Sequence, residues 1–302
     1  MIAQIQQHTT TANLSQIANQ LQSWLTRQLE TPRLTWLNQT IQQLSENPSE
    51  RLLFTRFSAV SRYVGKADLR LTEGDLQTAH RLRVGWMPGQ WSVDQAARTL
   101  LLLTFLSTDA ERYVAAVEKL FSAADVAEQV ALYQSLPLLP HPERFEERAI
   151  EGLRSNIKSV FDAIALHNPY PADYFDEAAW NQMVLKALFV ESYLSQIQRL
   201  DERTNAILAR MLSDYAHERW AAKRSVNPQL WRAIGPFVED DLISDLASVL
   251  FCGDSIEKAA AALACSSAST PEAQVLLDSV PMLKQKIADQ QLTWESLSRV
   301  SL

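Results

Sequence analysis

The sequence predicts an all-α protein, an irregular antiparallel helical array that becomes HEAT-like toward the C-terminus. Three observations carry that expectation. The chain has only 7 glycines in 302 residues, too few for the tight connections of a β-sandwich or the loops of nucleotide-binding folds. Helix-start signals recur along its length. Leucine and alanine repeat at helical spacing in successive runs. With 47% apolar and 21% charged residues, the composition is that of a folded chain able to bury a core. No low-complexity linker interrupts it, so residues 1–302 read as a single helical domain, with an N-terminal helical portion and ordered loop over 1–90 and the array over 91–302.

Taken in order, Thr31 before Pro32 offers a capping oxygen and a proline in the first turn, where its missing N–H costs nothing. The stretch Arg56–Pro88 is less regular. Its end, GWMPGQW, sets Trp86 and Trp91 among Gly85, Pro88 and Gly89, and reads as an ordered loop leading into the array. Ser92 with Gln95 opens Ser92–Leu106, whose Leu100–Leu103 run is far short of the roughly 20 apolar residues that span a bilayer. Thr108 with Glu111 opens Asp109–Phe121, Ala127–Leu136 follows, and Pro137, Pro140 and Pro142 punctuate the chain before Glu143–Leu166. Asn227 before Pro228 repeats the cap-and-proline pattern. Leu242, Leu246, Val249 and Leu250 then share one face until Gly253, Asp254 with Glu257 starts a helix carrying Ala259–Ala264, and after CSSAST, Pro271 opens another through Val275, Leu276 and Leu277. Short helices with alanine-rich contact faces are what a degenerate HEAT-like repeat uses.

A net charge of −7 and a pI near 5.3 argue against nucleic acid as a partner, since such binding draws on neutralising phosphates. The strip Arg51, Arg56, Arg62, Lys66 and Arg70, with Phe54, Phe57 and Tyr63 between, is too sparse to reverse that. Two cysteines, Cys252 and Cys265, read as reduced small apolar residues. No phosphate loop, nucleophile elbow, dinucleotide fingerprint or metal-ligand spacing occurs, so no cofactor, metal or catalytic residue is assigned. The N-terminus lacks the apolar core of a secretory leader. A cytoplasmic protein without a transmembrane segment is expected, with peripheral docking at the inner membrane left open.

The candidate ligand site is the turn LHNPYPADYFDEAAWNQ. Pro169 and Pro171 fix their own φ and push Asn168 and Tyr170 toward extended conformations, which makes His167, Asn168, Tyr170, Asp173, Tyr174, Asp176, Trp180 and Asn181 a possible polar, aromatic-lined surface. The same residues also suit capping and packing. A second cluster is Asp214, His217 and Glu218, at helical spacings that let Asp214 orient the imidazole. Glu218 would lie on the same face.

The strings VGKADL (64–69), WSVDQAAR (91–98), ALYQSLPLLPHPERF (131–145), ALHNPYPADYFDEAAWNQMVLKALF (165–189) and MLSDYAHERWAAKR (211–224) resemble the EboA family across most of the chain. The resemblance implies a part in moving a natural-product precursor from cytoplasm to periplasm, scytonemin biosynthesis in cyanobacteria being the known case. It also implies partners among the other proteins of the ebo cluster, including a membrane-embedded prenyltransferase-like protein. An aromatic small molecule is then the expected ligand. No catalytic residues follow from the family, and a non-catalytic binding or adaptor role is favoured over an enzyme or a pure scaffold.

Overall fold

In the computed structural model, which describes residues 11–105, 109–239 and 241–300, short oxygen-bearing side chains open helix after helix by accepting orphan amide hydrogens. Ser49 accepts from Leu52 N–H, Thr72 and Asp75 cap each other's backbone, and so do Asp125 with Glu128 and Asp254 with Glu257. Gln95 accepts from Ser92 N–H at 2.8 Å. Nineteen α-helices and no strand occur among the described residues. The nearest approach to a sheet is one isolated bridge, Asp68 with Ser92. The all-α expectation holds.

Contacts divide the chain into two compact units, one ending at Phe175 and the other starting at Asp176. The first contains α1 (Thr11–Gln28), α2 (Thr31–Glu46), α3 (Glu50–Val64), α4 (Glu73–Leu82), α5 (Val93–Thr104), α6 (Ala110–Ala123), α7 (Val126–Ser135), α8 (Glu146–Leu153), α9 (Lys158–Ala165) and α10 (Tyr170–Tyr174). Its centre is α5, buried from Val93 to Leu103 except at Gln95 and touched by α1, α2, α3 and α7. The leucine run is therefore core. Within it Arg98, 1% exposed, pairs with Asp94 and donates to Ser61 Oγ, so the buried charge is neutralised where it lies.

The second unit contains α11 (Glu177–Phe189), α12 (Leu200–Arg203), α13 (Ala206–Ala221), α14 (Leu230–Ile234), α15 (Asp241–Cys252), α16 (Ser255–Ser267), α17 (Pro271–Asp278), α18 (Pro281–Ala288) and α19 (Trp294–Val300). Here α16 is the hub. Its five alanines between Ala259 and Ala264, with Leu263 among them, are all buried, and their small side chains let α14, α15, α17, α18 and α19 approach it together.

Several details differ from the sequence reading. Thr108 lies outside the described residues, as does Leu106, and Asp109 caps α6 through Glu111 and Arg112. Thr31 is the first residue of its helix, Glu30 stands at the cap without a side-chain bond, and Pro32 falls second, where proline is equally tolerated. Asn227 closes a local turn onto Gln229 N–H at 3.0 Å, and the helix begins only at Leu230. Arg56–Pro88 is more regular than expected, because the end of α3 and all of α4 fall in it; α4 is too polar for its stripe to stand out. The segment CSSAST stays helical through Ser267, whose hydroxyl bonds back to Ala264 O. Tyr170 opens α10 instead of lying extended.

Candidate functional site

Two unusual segments of the first unit meet at a cavity of about 810 Å³. One wall is α4, with Leu76, Gln77 and His80, flanked by Glu73 and Arg81. The other is the loop Trp86–Gln90, and His167 joins from the proline turn. Trp86, 2% exposed, is held between Trp24 and Trp91 at ring separations of 5.3 and 6.1 Å. Trp24 is in turn fixed by donating Nε1–H to Asp75 at 2.9 Å. Backbone bonds from Leu69 N–H to Trp91 O and from Val93 N–H to Ala67 O pin the loop's far end.

Arg83 ties the loop to the proline turn. It pairs with Asp173 at 2.6 Å and donates to Pro137 O at 3.2 Å and Val84 O at 2.9 Å. Gln90 Nε2 lies 3.3 Å from His167 Nε2; since the amide nitrogen can only donate, that imidazole nitrogen is the acceptor. His167 itself has φ +52°, a left-handed conformation that costs a non-glycine residue energy and turns the chain sharply after α9.

The other turn residues are consumed by structure. Asn168, 5% exposed, donates to Tyr133 O at 3.1 Å and Ala163 O at 2.9 Å and accepts from Tyr170 N–H at 2.9 Å. Tyr170 is fully buried, donates to Pro142 O at 2.6 Å and packs on Tyr174 at 4.7 Å. Burial pushes both phenols above their ordinary range, so neither exchanges a proton near neutrality.

Asp176, Trp180 and Asn181 belong to the second unit. Asp176 caps α11 through Ala179 N–H at 2.7 Å. Trp180 is fully buried beneath the Arg203 guanidinium, 4.6 Å from its ring centre. Asn181 exchanges paired amide bonds with Asn205, which caps α13. In the secondary cluster, His217 bonds Asp245 Oδ1 at 2.7 Å, and Asp245 also accepts from Ser213 at 2.9 Å. The imidazole's carboxylate partner is thus on α15, a residue that spacing within one helix could not supply. Asp214 and Glu218 are exposed on α13.

Of the residues singled out from the sequence, His167 lines the cavity. Leu76, Gln77, His80 and Met87 were missed because they sit on a polar helix and a loop, where no apolar period marks them. The clustering of Trp86 with three helix breakers was the available signal. No Ser, Thr, Cys or Lys lines the cavity, and the described residues contain no group of three or more His, Cys, Asp or Glu that could hold a metal. Among them no helix is long and apolar enough to cross a membrane.

These features define an all-helical protein with an apolar-walled, hydrogen-bonding cavity of small-molecule size. A family model described as Metabolite traffic protein EboA matches residues 17–235. The chain belongs to that family, whose business is metabolite traffic. No curated protein and no solved structure matches it.

Proposed function

We propose that this protein is a non-catalytic carrier or adaptor in metabolite traffic, and that the cavity between α4, the Trp86 loop and His167 holds the metabolite. What supports this is the cavity's make-up. Trp86, Met87 and Leu76 give it apolar walls and the imidazoles and amides give it orienting polar groups, and no Ser, Thr, Cys or Lys lines it. In cyanobacteria the cargo would be the scytonemin monomer or a similar precursor on its way from cytoplasm to periplasm. Handover would involve the other ebo-cluster proteins, including the membrane-embedded prenyltransferase-like one, with this chain working on the cytoplasmic side.

Gly89→Leu tests the reading. A Cβ at Gly89 would meet Leu76 at an ordinary 3.6 Å, so a side chain can start from this position of the cavity wall without a clash at its first atom. The substitution should abolish metabolite binding and export while the circular dichroism and thermal midpoint stay as in the wild type. Normal export by the folded variant would refute the assignment. Conversion of the metabolite by the purified protein, seen as a mass change, would favour an enzyme instead.

A further inference from the structure

The basic strip on α3 takes no part in the cavity, and the fold turns it outward. At about 100° per residue, Arg51, Thr55, Ser58 and Arg62 fall within one arc of roughly 60°, opposite the buried Leu53, Phe57, Val60 and Val64. All four of the first group are exposed. From Arg51 to Ala67 the sequence holds no Asp or Glu, in a chain of net charge −7. The one acid of α3, Glu50, is paired with Lys119 at 2.8 Å. Arg51, Arg62 and Lys66 enter no ion pair among the described residues.

Positive charge gathers at the C-terminal end of this helix. Gly65, at φ +92°, ends it, and Lys66 follows, exposed. Arg33 reaches over from α2 and donates to Val64 O at 2.6 Å. Beside them Tyr63, 43% exposed, stacks on Trp36 at 4.7 Å, and the Arg62 guanidinium lies 5.9 Å from the Tyr63 ring centre. Glu30, 4.0 Å from Arg33, and the exposed Asp68 offset part of this charge.

We propose that this face of α3 docks the chain on a bilayer rich in anionic lipid, independently of what fills the cavity. Headgroup phosphates meet Arg51, Arg62, Lys66 and Arg33, and the Tyr63 ring settles at headgroup level, where an apolar body and a polar tip are both accommodated. A fluid sheet of phosphates suits the face because its cations are spread along roughly 16 Å of helix, and the stripe carries no large aliphatic side chain to anchor in a partner protein. Acids elsewhere on the surface do not prevent the approach, since charges farther from the bilayer than a Debye length of about 8 Å are screened at physiological salt.

Co-sedimentation of the full chain with vesicles tests this, using phosphatidylcholine alone and phosphatidylcholine mixed with phosphatidylglycerol. Wild type should sediment with the anionic vesicles at low salt, stay free of the neutral ones, and be released by added sodium chloride. In the triple variant Arg51→Gln, Arg62→Gln, Lys66→Gln the partition coefficient should fall about 100-fold, roughly 5-fold for each charge. A control that removes the same charge from other exposed positions, Arg154→Gln, Lys284→Gln, Lys286→Gln, should bind within about 2-fold of wild type, unfolding curves having shown both variants folded. Equal losses in the two triple variants would mean that net charge and not this face is at work, and would overturn the proposal. So would a wild type that ignores anionic vesicles at low salt; its retention on immobilised poly-glutamate would then assign the face to an acidic protein instead.

Discussion

At the scale of single residues, the proline turn is built by side chains that a sequence reader would reserve for a ligand. Asn168, buried, donates to two carbonyls and accepts from one amide, so Asn168→Ala should cost roughly 3 kcal/mol, read as a lower denaturant midpoint with the slope unchanged. Asp75 sets an acid limit on the tryptophan cluster. Burial pushes its carboxyl up, but donors from the Thr72 backbone, Arg27, the Thr72 hydroxyl and Trp24 outweigh this and hold it at about 2. The unfolded chain titrates near ~4, so the stabilisation is complete above that pH and is lost as the pH falls toward 2. Unfolding midpoints should show wild type losing its advantage over Asp75→Asn across that window, and a difference constant from pH 5 to 2 would contradict it. The thiols divide as well. Cys252 is exposed, while burial pushes Cys265 up to about 11, so a thiol reagent at neutral pH should label one cysteine in the native protein and two after unfolding. What the sequence hid at this scale was pairing: Asp245 for His217 and Arg83 for Asp173 come from 28 and 90 residues away, and no local spacing encodes them.

At the scale of elements, start signals made α5, α16 and α17 legible, and apolar runs alone marked α6, α7 and α15, because each signal lies in adjacent residues. The candidate site was less so. The loop Gly85–Trp91 announced itself by its breakers and tryptophans, but its opposing wall, α4, exposes Gln77 and His80 to the cavity and buries only Asp75 and Ala79, a pattern indistinguishable from an ordinary surface helix. Close approach between helices was equally silent. Gly152 on α8 leaves room for neighbours that a Cβ would strike, with Tyr133 at 2.4 Å and Ile164 at 2.6 Å. Gly152→Ala should therefore destabilise the protein despite alanine's higher helix propensity. A rise in thermal midpoint would show that α7, α8 and α9 pack less tightly than described.

At the scale of the whole molecule, the family match over residues 17–235 takes in the described first unit almost entirely, including every residue that lines the cavity. A traffic protein needs a place to hold its cargo, and an apolar recess lined by imidazole and amide groups suits that task. The claim on which the rest depends is that this recess is where the metabolite sits. Hydrogen exchange of the full chain, measured by mass spectrometry with and without the metabolite, tests it most directly. Binding should slow exchange in peptides covering Glu73–Trp91 and the turn around His167 and leave α13 and α15 unchanged; protection confined to residues 176–302, or none anywhere at saturating metabolite, would contradict it.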